Sequence, residues 1–456
     1  ESALVPSEQR ALAPWTVLSP PMSSSLSHSL LGEAAPGGKA TILSCLLNLS
    51  STCMGTGLLS LPFAFSQSGF AAGCLLCVAA AGTCGASLFM LVDSGRKLRM
   101  EGKPVSLGSV CEAALPGMGV TIDVAVIGNC LGTAASYFIV AADCFSALGA
   151  PRKLVVALSV CITSVPAFFA SMDTLKASSA VAIGCLACIV LLVVCFGFGL
   201  VDLDPCPGHS TVLHGHCGGA IEPLATAPLP VFCTLPYFMM AFSCQANSFN
   251  AVGELRSPTP SRERAVALLV PLGPLALYLT IAGCGYLTFG NQVPSNVMNG
   301  YPKTPLLAVA RAILGVVMLC NVPLNIFPSR VSTLSLLRAC TRARDPAAVA
   351  AATGESAPVV ATPRLFIQSP TERRLTVLFL AITGGTALLV SDLGAVVAVI
   401  GSTGATMIAL VCPPAAYLLL GRGAKDAAPR NLLLDIIAAA MLVMGLAIVP
   451  SKLFCA

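Results

Sequence analysis

Asn48-Leu49-Ser50-Ser51-Thr52-Cys53-Met54-Gly55-Thr56-Gly57-Leu58-Leu59-Ser60-Leu61-Pro62 is the stretch on which the reading of this chain turns. It belongs to an apolar run over 40–66, long enough for the roughly 20 residues that a membrane-spanning helix needs. Two glycines one residue apart and a proline weaken that helix where no water can satisfy a freed N–H or C=O. Such a break is costly unless the freed groups line a cavity and meet a ligand. A half-helix beginning at the break offers N–H donors and a positive dipole end, which suit a carboxylate. The alternative is that Gly55 and Gly57 only let helices approach closely, as small residues do in membranes.

Apolar runs of spanning length recur from Ala40 onward. They lie near 40–66, 70–94, 119–148, 153–170, 178–200, 227–250, 264–289, 304–337, 375–390, 393–420 and 431–453, with 375–390 the shortest. The sixth is interrupted like the first: Pro228, Pro230 and Pro236 precede the polar run Ser243-Cys244-Gln245-Ala246-Asn247-Ser248. Breaks at positions one and six predict two inverted five-helix repeats around a site near the bilayer midplane. Close packing gives no reason for the five-helix offset, so the pair of breaks favours a transporter.

The composition agrees, at 56% hydrophobic and 10% charged residues against about a quarter charged in soluble domains. Unalternated apolar runs exclude a barrel, leaving an all-α polytopic membrane protein of eleven transmembrane helices. With the N-terminus inside, Lys and Arg near the helix ends divide roughly 20 to 5 in favour of the cytoplasm, and the C-terminus is expected outside or in a lumen. The net charge of +5 goes into this bias, leaving no basic stripe for nucleic acid.

Residues 1–38, rich in Ser, Pro and Gly, read as a disordered cytoplasmic tail, and 39–456 as the transport domain with a flexible cytoplasmic loop at 340–370. The segment 105–118, too short and polar to cross, is placed as a connector at the inner interface. Most of the 21 cysteines sit in apolar runs and read as small hydrophobes. Cys206 and Cys217 flank a loop that also holds His209, His214 and His216. A short-loop disulfide between these cysteines is preferred over a metal site, because the spacing fits no standard zinc finger. The ionisable residues Asp93, Asp123, Asp143, Glu254 and Asp392 are expected near helix ends. Asp143 reads as a solvated end residue rather than a proton relay, and Glu254 as a cap or lock on the sixth span.

Five blocks in order carry a resemblance to the amino acid/auxin permease family, and within it to the sodium-coupled neutral amino acid transporters. They are Asn48 to Pro62; Phe242-Ser243-Cys244 with Glu254-Leu255; Gly285-Tyr286-Leu287-Thr288-Phe289-Gly290; Asn321-Val322-Pro323 leading to Phe327-Pro328-Ser329-Arg330; and Ile400-Gly401-Ser402-Thr403-Gly404-Ala405-Thr406 with Pro413-Pro414. The resemblance implies a leucine-transporter-like fold with broken helices 1 and 6. It places the substrate's carboxylate and amino group at Ser51, Gly55, Thr56 and Gly57 and at Phe242, Ser243 and Gln245. It further implies a sodium site between helices one and eight, at Ser51 and Asn321, where related members have Asn and Thr; amide and hydroxyl stand exchanged here. Gln245 departs from the histidine that commonly follows the cysteine.

The expected function is secondary transport of neutral amino acids, driven by a sodium or proton gradient through alternating access. A membrane amino acid sensor signalling through a cytoplasmic partner is the alternative, although neither tail nor loop carries a docking motif. No paired aspartates, His-Glu-x-x-His or Ser–His pairing marks the spans, so an enzyme is not expected, nor a cofactor beyond Na+ or H+. The expected partners are a small amino acid and the bilayer, for a monomer in a plasma or vacuolar/lysosomal-type membrane.

Overall fold

The structure is a computed structural model describing residues 40–102, 105–168, 176–200, 217, 219–225, 227–344, 369–422, 431–451 and 455. The proposed tail at 1–38, most of the 340–370 loop, Cys206 and the three loop histidines lie outside the described residues. Among the described residues the regular structure is helical, apart from one isolated bridge between Ala40 and Leu255.

The first run folds as α1 (Ile42–Cys53) and α2 (Gly57–Ser68), bent by 61° at Met54-Gly55-Thr56. Thr41 starts α1 by accepting from the Ser44 amide at 3.2 Å. α3 (Phe70–Met100) follows. The connector at 105–118 contains α4 (Leu107–Ala114), whose Glu112 accepts from the amides of Gly117 and Gly119 at 3.1 and 3.0 Å. This carboxylate caps the positive end of α5 (Met118–Ala147), which the left-handed Gly117 introduces. Then come α6 (Arg152–Ala167) and α7 (Lys176–Gly197).

The sixth run is broken as well: α8 (Pro228–Ala241), a 3-10 turn at Gln245–Asn247 and α9 (Ser248–Gly253). α10 (Pro260–Leu269) and α11 (Leu272–Phe289) form the seventh, α12 (Pro305–Arg344) the eighth and α13 (Pro370–Leu389) the ninth. The tenth is α14 (Leu393–Ile400), two π-helical turns over Gly401–Ala405 and Met407–Val411, and α15 (Cys412–Arg422); α16 (Leu432–Ile448) closes the chain. The wide turns start at the Gly401-Ser402-Thr403-Gly404 block, where Thr406 donates to the Gly401 carbonyl five residues back at 2.6 Å. Among the described residues, six helices are long and apolar enough to cross a membrane, or seven if the bent pair α1–α2 is one span.

α5 lies at the centre, packed along α12 and against α13 and α14. Leu75, Ile162, Val309, Leu389 and Leu432 are exposed on the periphery, as side chains bathed in lipid would be. Polar staples hold the two ends. At one, Arg264 donates to Asp93 at 2.8 Å and Arg99 to Glu263 at 2.9 Å, joining α3 to α10. There, too, the Ala40 amide donates to the Glu254 carbonyl at 2.9 Å and the Arg256 amide to the Ala40 carbonyl at 2.8 Å. The lock expected of Glu254 thus includes its backbone.

At the other end the reading of Asp143 as a solvated residue needs correction. Its side chain is 8% exposed and accepts from Arg152 and, at 3.0 Å each, from the amides of Asn296 and Asn299. Arg311, buried nearby, donates to the carbonyls of Met298, Tyr301 and Pro302 at 2.9, 2.6 and 3.2 Å. The cysteine reading is corrected at two positions: Cys233 in α8 is disulfide-bonded to Cys455, 222 residues away. Cys217 is also in a disulfide, and its expected partner Cys206 lies outside the described residues.

Candidate functional site

At the first break the backbone does what Gly55 and Gly57 predict. The Met54 amide donates to the Ser51 carbonyl at 3.2 Å and the Gly55 amide to the Cys53 carbonyl at 2.9 Å, ending α1. The ladder resumes only with Leu58 donating to Gly55 and Leu59 to Thr56, so among the described residues the amides of Thr56 and Gly57 have no backbone acceptor. They form the positive end of α2. Thr56 is fully buried and its hydroxyl shares a 2.7 Å hydrogen bond with that of Ser136 on α5. The next residue, Tyr137, is so placed that a Cβ on Gly55 would lie 2.8 Å from its hydroxyl.

The sixth span breaks in the complementary sense. Phe242 and Ser243 still donate back into α8, to Phe238 and Met240 at 3.2 and 3.3 Å. The carbonyls of Phe242 and Ser243 accept nothing from the described backbone, and the half-buried Ser243 hydroxyl is without a hydrogen-bond partner among the described residues. Gln245 is fully buried and its side chain is engaged: Oε1 accepts from the Cys244 amide at 3.0 Å and Nε2 faces Cys84 Sγ at 3.7 Å. Its side chain thereby braces the break from within.

The two breaks lie side by side. A Cβ on Gly57 would stand 2.8 Å from Ala241 Cα, the last residue of α8. Gly57 therefore serves a close backbone approach that brings the amides of one break beside the carbonyls of the other. The packing reading of Gly57 holds here, and that packing contact is what brings the two breaks together. Tyr278 of α11 completes the junction, its hydroxyl 2.7 Å from the Cys53 carbonyl and 2.8 Å from that of Ala241, its ring edge-on to Phe242 at 5.0 Å. Ser136, Tyr137 and Tyr278 escaped the sequence reading. The available signal was a polar side chain inside an apolar span, a rarity with a function by default.

Ser51 and Asn321 are not bonded to each other. The Ser51 hydroxyl donates to the Asn48 carbonyl at 2.7 Å, one turn back, and Asn321, largely buried, takes a 3.3 Å hydrogen bond on its backbone carbonyl from the Asn325 amide. Both side-chain oxygens keep acceptor capacity for a hard cation. Arg330, from the same block, is buried and donates to the Ala167 carbonyl and the Thr376 hydroxyl at 3.2 and 3.1 Å, tying α12 to α6 and α13.

Known proteins resemble the chain over most of its length. Vacuolar amino acid transporter 5 of Schizosaccharomyces pombe is 26% identical over 405 residues, spanning 86% of this chain and 87% of its own length. Vacuolar amino acid transporter 6 of Saccharomyces cerevisiae is 26% identical over 427 residues, 86% and 92% respectively. Sodium-coupled neutral amino acid transporter 7 of Rattus norvegicus is 24% identical over 323 residues, 66% of each chain. Among solved structures, a Na+-coupled sialic acid symporter in a substrate-bound outward-open state superposes with a TM-score of 0.50 at 10% identity, covering 94% of this chain and 92% of that one, a likeness of fold alone. These relatives are transporters, not enzymes, and they lend no support to the sensor reading. The sequence profile described as "Transmembrane amino acid transporter protein" matches residues 38–454, and the chain belongs to that family.

Proposed function

We propose that this protein moves small neutral amino acids across a membrane by alternating access, coupled to a sodium or proton gradient. The observation that carries the proposal is the meeting of unclaimed groups at the junction. The amides of Thr56 and Gly57 suit a carboxylate, and the carbonyls of Phe242 and Ser243 suit an ammonium group. Backbone recognition of both ends of a zwitterion accepts any α-amino acid. Asp93, Asp143, Glu263 and Asp392 are engaged with Arg264, Arg152, Arg99 and the start of α14, so a cationic side chain gains no counter-charge from them.

Eleven spans in two inverted five-helix repeats account for the way the half-helices associate. α2 packs along α8, and α1 meets α9, where Cys45 Sγ donates to the Ala251 carbonyl at 3.2 Å. The orientation with the N-terminus inside gains support from the disulfides. Cys217, Cys233 and Cys455 all fall on the side that the Lys and Arg count assigns to the exterior or lumen, where disulfides persist. A vacuolar-type or plasma membrane satisfies this equally.

Uptake of a labelled amino acid mixture into proteoliposomes, with an inward sodium gradient, a proton gradient or neither, tests the proposal. Gradient-driven accumulation is expected; intact binding with no accumulation under any gradient would overturn transport. If Ser51 and Asn321 hold sodium, Asn321→Ala raises the sodium concentration for half-maximal uptake about tenfold, the effect of roughly 1.4 kcal/mol of lost ligation. Sodium titration of variant and parent at matched protein density checks this, and superimposable curves return Asn321 to helix packing.

A further inference from the structure

Tyr278 is fully buried in α11, and its hydroxyl meets the last carbonyl of α1, Cys53, and the last carbonyl of α8, Ala241. Both are C-terminal half-helix ends, negative in partial charge and short of intrahelical donors. A phenol has one proton. It can serve either carbonyl, or be shared between them, and it remains with one when the other departs. Two buried carbonyls from different spans thus depend on one donor from a third. Among the described residues the Ala241 carbonyl has no other donor, and the Cys53 carbonyl has only the Gly55 amide, across the tight turn of the break.

We propose that Tyr278 is a positioning residue that ties the two helix breaks together, its single O–H acting as a tether that passes between the end of α1 and the end of α8 as one half-helix or the other moves. The inference rests on the alternating-access reading above for its moving part. The static part, that the hydroxyl sets the geometry in which substrate is bound, stands independently. The ring is held by Phe242 and by the surrounding core, so α11 is the fixed post and the half-helix ends are what it holds. A further polar link to α1 is Ser50, whose hydroxyl donates to the Val270 carbonyl at 3.0 Å, away from both breaks.

The test is equilibrium binding of a labelled neutral amino acid to purified Tyr278→Phe, Ser50→Ala and parent protein, with uptake measured separately in proteoliposomes. Phenylalanine keeps the ring and removes only the donor. Tyr278→Phe is expected to weaken binding about tenfold with the folded yield preserved, whereas Ser50→Ala, which also deletes a buried α1 hydrogen bond, stays within about twofold of parent. Affinity of Tyr278→Phe within twofold of parent would overturn the proposal. Because the readout is binding, a parent that binds without transporting sinks the transport reading and leaves this comparison intact.

A measurement on the parent alone covers the case in which Tyr278→Phe does not fold. Cys53-Met54 is the single Cys–Met pair in the chain, so carbonyl-13C cysteine with 15N methionine selects the Cys53 carbonyl in a solid-state NMR spectrum. Its resonance is expected to shift when saturating substrate is added, as the hydroxyl redistributes between Cys53 and Ala241. A resonance unmoved by substrate would overturn the tether.

Discussion

Gly57→Leu is expected to lower amino acid affinity by about a hundredfold or more while the protein still inserts and folds. The cause differs from simple filling of a carboxylate pocket. A Cβ at position 57 would stand 2.8 Å from Ala241 Cα and 3.2 Å from its Cβ, inside the roughly 3.5–4.0 Å at which carbon atoms rest. The obstructing atoms are backbone and the first side-chain carbon, which cannot rotate away. The end of α8 must therefore retreat from the start of α2, and the leucine side chain widens the gap. Overpacking of this kind costs about 1–3 kcal/mol of stability, tolerable for a protein of this size. Displacing a binding group by about 1 Å can cost on the order of a hundredfold in function. Gly57→Ala should show the same effect at about a tenth of the size. Gly82→Leu is the control, since a Cβ on Gly82 meets nothing within 4 Å. Equilibrium binding on protein that elutes as a single symmetrical species checks all three. A Gly57→Leu variant with parental affinity would remove the first break from the binding site.

The location of this junction was legible in the sequence; its composition was legible only in part. Gly55, Gly57 and Pro62 announce a broken helix because backbone weakness in lipid has few other uses, and Ser243 to Ser248 stand out as a polar run among apolar residues. Local chemistry therefore marks the breaks themselves. What surrounds them is marked by nothing local. Tyr278 lies in Leu277-Tyr278-Leu279-Thr280, and only the chain's path brings it to Cys53, 225 residues away, and to Ala241. Ser136 reaches Thr56 across 80 residues in the same way. Cys233 and Cys455 each look like one more small hydrophobe until the ends of α8 and the chain are seen together. Gln245 was the opposite case: a conspicuous polar residue at the right place, whose side chain turns to its own backbone and to Cys84. Polarity identified the break, while direction depended on the fold.

Asp143→Ala is expected to destabilise the protein by about 3 kcal/mol, the lower end of the cost of removing one partner of a buried ion pair. The lower end applies because Arg152 keeps 31% of its side chain exposed, so solvent recovers part of the loss. The carboxylate also receives Asn296 and Asn299, and Arg311 holds Met298, Tyr301 and Pro302 in the same connection between α11 and α12. Its removal should therefore free that connection as a unit. Asp143→Asn retains one acceptor oxygen and should lose about half as much. Thermal unfolding followed by size-exclusion recovery in detergent measures both. The same variants separate the two roles open to Asp143. No hydrogen bond joins it to the breaks among the described residues, so a staple predicts parental affinity and an unaltered response to a proton gradient in the molecules that remain folded. A relay predicts the reverse: Asp143→Asn, close in shape and unable to ionise, would fold nearly as well as parent and lose proton-driven accumulation altogether. Three groups, Arg152, Asn296 and Asn299, already donate to a carboxylate that is 8% exposed, and it is the staple that this geometry favours.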